Sequence, residues 1–145
     1  VGIAQQYDSA ELSLPKLWAA FRPYRDKIKN RIGEESFGIY EAYEERGGES
    51  EEVIFRYVCC APVANFNHVP EGMITRELPE QMYAKFIHRG SISTLEQTLK
   101  YIWGSWLPKS DFDYVERPDF ELYPPNYNVA DAKAEMALHI PVQAK

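Results

Sequence analysis

The sequence predicts an α+β domain made by pseudo-two-fold duplication of a β-α-β-β module, with an antiparallel sheet, two helices on one face and a central cleft. Two amphipathic helical stripes each precede a pair of strand-like runs and follow another. The halves also align locally. Leu14, Leu17 and Phe21 match Ile92, Leu95 and Leu99; Phe37, Ile39 and Tyr40 match Phe120, Leu122 and Tyr123; Ala61-Pro62-Val63 matches Ile140-Pro141-Val142. A repeat of this length is too long for a solenoid unit and reads as two fused halves, about 1–66 and 67–145 of one domain.

In chain order, residues 1–5 read as a strand. Ser13 is positioned as an N-cap for a helix carrying Leu14, Leu17, Trp18, Phe21, Ile28 and Ile32 at helical spacing, with Pro23 expected to kink or end it. Strands follow over 37–43 and 53–60, joined by an acidic turn at Gly47-Gly48 whose Glu49–Glu52 run suits a solvated tip. Residues 73–78 read as a strand hairpinned across Pro79-Glu80 to another over 82–88. Ser93 and Glu96 fit a capping box for the second helix, whose stripe is Leu95, Leu99, Ile102, Trp103 and Trp106 before Pro108 stops it. Strands over 114–123 and 135–142, joined by the Pro124-Pro125-Asn126 loop, complete the second module.

Composition narrows the function. A length of 145 residues supports one domain with a real core. The net charge of −6 and the lack of a basic run argue against nucleic-acid binding by this chain, because such affinity comes from neutralising phosphates. No stretch is long and apolar enough for a membrane span, and no signal peptide shows. The abrupt start at Val1-Gly2-Ile3 suggests a strand entered mid-sequence, with residues missing upstream. Adjacent Cys59 and Cys60 fit a strand and a reducing, cytoplasmic setting. His68, His88 and His139 lack metal-ligand spacing, and no nucleophile elbow, P-loop or Cys/His pairing occurs, so neither metal nor cofactor is expected.

The chemistry concentrates in Pro118-Asp119-Phe120-Glu121-Leu122-Tyr123. Strand alternation sends Phe120 and Leu122 to one face and Glu121 with Tyr123 to the other, a carboxylate beside a π-face, which suits a cation. The ordinary alternative is a half-exposed strand with its polar side in water. Duplication favours the site: Glu121 aligns with Gly38, so the module does not need an acid there, and a strand glycine leaves room for close approach. Tyr40 mirrors Tyr123. Trp18, which aligns with Glu96, together with Trp106, Tyr57 and Tyr83, divides between pocket wall and core.

These features resemble one family. Leu14-Pro15-Lys16-Leu17-Trp18 with Phe21, Tyr83-Ala84-Lys85-Phe86, His88-Arg89-Gly90, Trp106-Leu107-Pro108 and Phe120-Glu121-Leu122-Tyr123, in this order, resemble the AraC-type effector-binding domain, also called gyrase-inhibitor-like. The resemblance implies two β-α-β-β modules around an effector cleft, and a strand glutamate, here Glu121, that contacts lipophilic cations amid rings. Tyr123 follows from the same motif. Members often sit behind a helix-turn-helix region in transcription regulators. No such region is present in this sequence, which is similar to standalone members, one of them carried on an integron cassette.

The leading expectation is a non-enzymatic binding domain for lipophilic, cationic drug-like compounds, with a role in drug sensing or transcription regulation. A hydrolase of electrophilic small molecules with Glu121 as base is one alternative. An inhibitory interaction module that engages a protein partner or a second copy is the other.

Overall fold

Every element of the chain is shaped by where its apolar residues must go. The computed structural model describes residues 1–8, 14–45, 53–90, 94–115, 117–125, 127 and 133–145. The expected caps Ser13 and Ser93, the Gly47-Gly48 turn with its acidic run, and Asn126 lie outside the described residues. The strands are β1 (Gly2–Asp8), β2 (Ser36–Glu45), β3 (Val53–Cys60), β4 (Tyr83–Arg89), β5 (Phe112–Tyr114), β6 (Asp119–Tyr123) and β7 (Glu135–Ala144). The helices are α1 (Leu14–Arg25), between β1 and β2, and α2 (Leu95–Tyr101), after β4.

All pairings are antiparallel, in the order β1-β3-β2-β6-β7-β4, with β5 on the far end of β7. Inward from its two edges the sheet runs β1-β3-β2 and β4-β7-β6, and these runs meet where β2 pairs with β6. This is the α+β arrangement expected, a mostly antiparallel sheet with two helices.

Alternation sorts the core into layers. Leu17 and Phe21 of α1 lie one turn apart and pack with Ile28, Tyr57 and Cys59. Leu95 and Ile102 pack with Met136, Leu138, Ile140, Val142 and Tyr123. The registers place both clusters on the same sheet face. Ile39, Val58 and Cys60 form a third cluster on the opposite face, covered by Ile74 and Leu78. Both cysteines are buried and free.

Four expectations need correction. The first helix does not extend to Ile32. Pro23 removes a backbone donor, the helix ends at Arg25, and Ile28 is buried beyond it while Ile32 is 57% exposed. Residues 73–78 do not form a strand against β4. Ile74 instead exchanges two backbone hydrogen bonds with Gly2, while β4 pairs along β7. The sequence carries no record of which edge an extended segment will meet. The run 114–123 is two strands rather than one, broken before Pro118, which cannot donate to a ladder. β5 pairs with Val142–Ala144 and β6 with Ala137–His139. Finally, α2 passes through a π-helical stretch, Ile102–Trp106, into a last turn, Leu107–Lys109. The wider turn rotates the stripe and leaves Trp103 39% exposed.

Candidate functional site

Glu121 sits in the middle of β6, a strand bonded on both sides by β2 and β7. Its side chain points to the helix-bearing face and is 1% exposed. Gly38 lies directly opposite it across the β2–β6 ladder. The space glycine leaves is filled by the protein itself. A Cβ at Gly38 would overlap the Tyr57 hydroxyl, lying 2.5 Å from its Cζ and 3.0 Å from Glu121 Oε1. The close approach expected at Gly38 is made by Tyr57.

Tyr57 is wholly buried and links two polar groups. Trp18 Nε1 donates to Tyr57 Oη at 3.0 Å, and Tyr57 Oη donates to Glu121 Oε1 at 2.8 Å. Rings enclose this relay. Trp18 packs edge-on against Tyr123 with centroids 5.2 Å apart, Tyr40 against Tyr57 at 4.8 Å, and Tyr127 against Tyr123 at 4.9 Å. Trp18 touches both helix-face clusters, so it stands between the two halves of the core.

Burial dominates the electrostatics. It pushes the Glu121 carboxyl up to about 7, against the phenols of Tyr57, Tyr123 and Tyr40, which favour its charged form. The same burial, with the carboxylate nearby, holds those three phenols well above their ordinary range. Asp119, two residues before Glu121 and opposite Tyr40, is raised to about 6 by burial. Oε2 of Glu121 is buried with no hydrogen-bond partner. The hydroxyls of Tyr40 and Tyr123 lie beside the same carboxylate and favour its charge. The ion pairs among the described residues, such as Arg76 with Glu41 and Arg89 with Glu135, do not include Glu121.

Of the residues singled out in the sequence, the fold brings together Glu121, Tyr123, Tyr40, Trp18 and Tyr57. It does not bring Tyr83 or Trp106. Tyr83 packs on Phe120 at 5.1 Å and near His139, on the other face of the sheet, because register with Pro141 sets its direction. Trp106 leaves the π-helical stretch to pack on Phe86 at 4.8 Å and Phe112 at 6.3 Å. Tyr127 and Asp119 were missed. Alternation from Glu121 could have found Asp119; nothing local signals Tyr127, which follows a two-proline loop. Among the described residues no cluster suits a metal ion.

The relay yields an immediate test. Trp18→Phe keeps a ring but removes the donor to Tyr57, and should cost about 1 kcal/mol in urea unfolding. Unchanged stability would mean that the Trp18–Tyr57 bond contributes nothing.

Comparison with known proteins agrees with this architecture. The transcriptional regulator BrlR of Pseudomonas aeruginosa is 28% identical over 132 residues, which cover 90% of this chain and 46% of the regulator. The chain thus spans about half the length of that relative. The solved structure of SAV2435 bound to tetraphenylphosphonium shares the fold with a TM-score of 0.66 at 16% identity, covering 99% of this chain and 87% of that one. A protein of Staphylococcus aureus MU50 assigned to bacterial transcription regulation matches at a TM-score of 0.61 and 18% identity, covering 99% and 91%. The profile of the GyrI-like small molecule binding domain matches residues 1–143, and the chain therefore belongs to that family.

Proposed function

We propose that this chain binds lipophilic cationic small molecules at the Trp18, Tyr40, Tyr57, Glu121 and Tyr123 cluster, with Glu121 supplying the charge. One observation carries the reading: a fully buried carboxylate, in no ion pair among the described residues, lies among aromatic rings with one oxygen unsatisfied. A buried carboxylate without a countercharge is costly, and a ligand cation offsets that cost. At an effective dielectric of about 20, unit charges about 4 Å apart attract by roughly 4 kcal/mol before desolvation. Each ring face contributes about 0.5 to 2 kcal/mol more. The tetraphenylphosphonium bound by SAV2435 supports this ligand class. Because Glu121 is closed off, the ligand must displace a cover, and half-buried Trp18 is the side chain placed between the two core clusters.

The ligand-bound state acts, in this reading, as a signal for transcription control in the cytoplasm, which kinship with BrlR supports. DNA contact is not assigned to this acidic chain. The duplication of about 1–66 and 67–145 is supported by the mirrored strand order and by Gly38 facing Glu121 where the halves join.

Titration of Trp fluorescence with tetraphenylphosphonium tests the binding. Affinity near micromolar is expected, and Glu121→Gln should weaken it by about 1.5 to 3 kcal/mol, the scale of a charge-assisted contact. Equal affinity in a folded variant would remove Glu121 from the site. The raised carboxyl of Glu121 favours one second reading, a general base acting on strained electrophiles. Turnover of an epoxide that disappears in Glu121→Gln would establish it.

A further inference from the structure

We propose that Tyr57 is a positioning residue that fixes the site's preference for cations over neutral molecules of the same shape, acting through Glu121. The proposal rests on the cation-binding reading above and deepens it, from which residue supplies the charge to which residue keeps that charge in place.

The geometry singles out Tyr57. Its oxygen accepts from Trp18 Nε1 at 3.0 Å, and its only proton goes to Glu121 Oε1 at 2.8 Å. A hydroxyl that already accepts a bond is the stronger donor for it. The phenol has no other place to turn. It is wholly buried, with the Tyr40 ring at 4.8 Å and the Trp18 ring at 6.2 Å, and its oxygen occupies the space left by Gly38 across the ladder from Glu121.

What this bond decides is the protonation of a dry carboxyl. Burial favours the neutral acid and raises the group to about 7, while donated hydrogen bonds favour the charged form. Of the three phenols that oppose burial, Tyr57 has the largest effect, ahead of Tyr123 and Tyr40. The other titratable groups around Glu121 do not substitute for it. Asp119 on the same strand pushes the carboxyl further up, burial holds the Cys59 thiol on β3 protonated, and Tyr127 has its own phenol raised by burial and by the Glu121 charge. A balance so near neutrality tips with one donor. Without the Tyr57 hydroxyl the acid holds its proton at neutral pH. It then offers a cation no charge, and it presents an O–H to a neutral acceptor instead.

The test uses Tyr57→Phe, which keeps the ring, and two ligands of one frame: methyltriphenylphosphonium, charged at every pH, and neutral triphenylphosphine oxide. Binding to the full chain is measured by calorimetry at pH 7 and pH 9. The phosphonium is expected to bind the variant about three- to tenfold more weakly than wild type at pH 7, and within about twofold of wild type at pH 9, where the acid ionises without help. The oxide should bind the variant at least as tightly as wild type at pH 7. Gly38→Ala gives a second route with Tyr57 intact, because the added Cβ displaces the hydroxyl from Oε1, and the same recovery of phosphonium affinity with pH is expected. An equal loss at both pH values would mean that Tyr57 packs the site or touches the ligand directly, and an unchanged affinity at pH 7 would mean that it has no hold on the charge. Either result overturns the proposal and leaves the cation-binding reading intact. If the oxide binds wild type and the phosphonium does not at either pH, that reading falls as well.

Discussion

Above neutral pH the Glu121→Gln protein should be more stable than the wild type, and its stability should lose most of its dependence on pH. Glu121 has its carboxyl raised from 4.5 to about 7, chiefly by burial. Between those values the native state holds a proton that the unfolded chain has released, so stability falls as pH rises through this window and levels off above it. The shift corresponds to a loss on the order of 3 kcal/mol for a group this buried. Glutamine keeps the shape and the acceptor for Tyr57 but never ionises. Its amide nitrogen lacks an acceptor, which returns about 1 kcal/mol of that gain. The net expectation is a variant stabilised by about 1 to 2 kcal/mol at pH 8 and slightly destabilised at pH 4.5. A residual slope below pH 6 belongs to Asp119, also raised by burial. Urea unfolding of both proteins across this range measures it. Parallel curves would show that Glu121 ionises without penalty and is not held in a dry site. The same linkage makes cation binding release a proton, so affinity for a permanently charged ligand should climb with pH up to about 7 and then flatten.

Gly38→Ala should cost about 3 kcal/mol, at the upper end for overpacking by a single methyl group. The added Cβ overlaps the Tyr57 hydroxyl and lies 2.5 Å from Cζ. A phenol is the far end of a side chain and would ordinarily swing away. Tyr57 is hemmed in, with Tyr40 at 4.8 Å on one side and Trp18 hydrogen-bonded to its oxygen. Moving it breaks the bond to Glu121 as well. Tyr57→Leu removes the obstructing oxygen and ring, so the double variant should be markedly less unstable than the sum of the two single changes. A cost below about 0.5 kcal/mol for Gly38→Ala would show that Tyr57 yields freely and that the glycine is not there to admit it.

The sequence by itself determined what depends on local periodicity. Helical stripes marked Leu17 with Phe21, and Leu95 with Ile102, as core. Alternation put Glu121 and Tyr123 on one face of their strand, and comparison of the halves matched Glu121 with Gly38. The structure seats those two residues opposite each other. Tertiary structure decided everything that depends on register and on which edge meets which. Tyr57 and Tyr83 are both strand tyrosines with no local difference between them. Pairing with β2 sends Tyr57 toward Glu121, while pairing with β7 sends Tyr83 to the other face. Ile74 meets Gly2 rather than β4, and Tyr127 reaches Tyr123 from a loop without period. A strand's own residues specify which side chains share a face. They do not specify its neighbour, and only the neighbour decides that Glu121 is buried, held by Tyr57 and left with one oxygen unpaired.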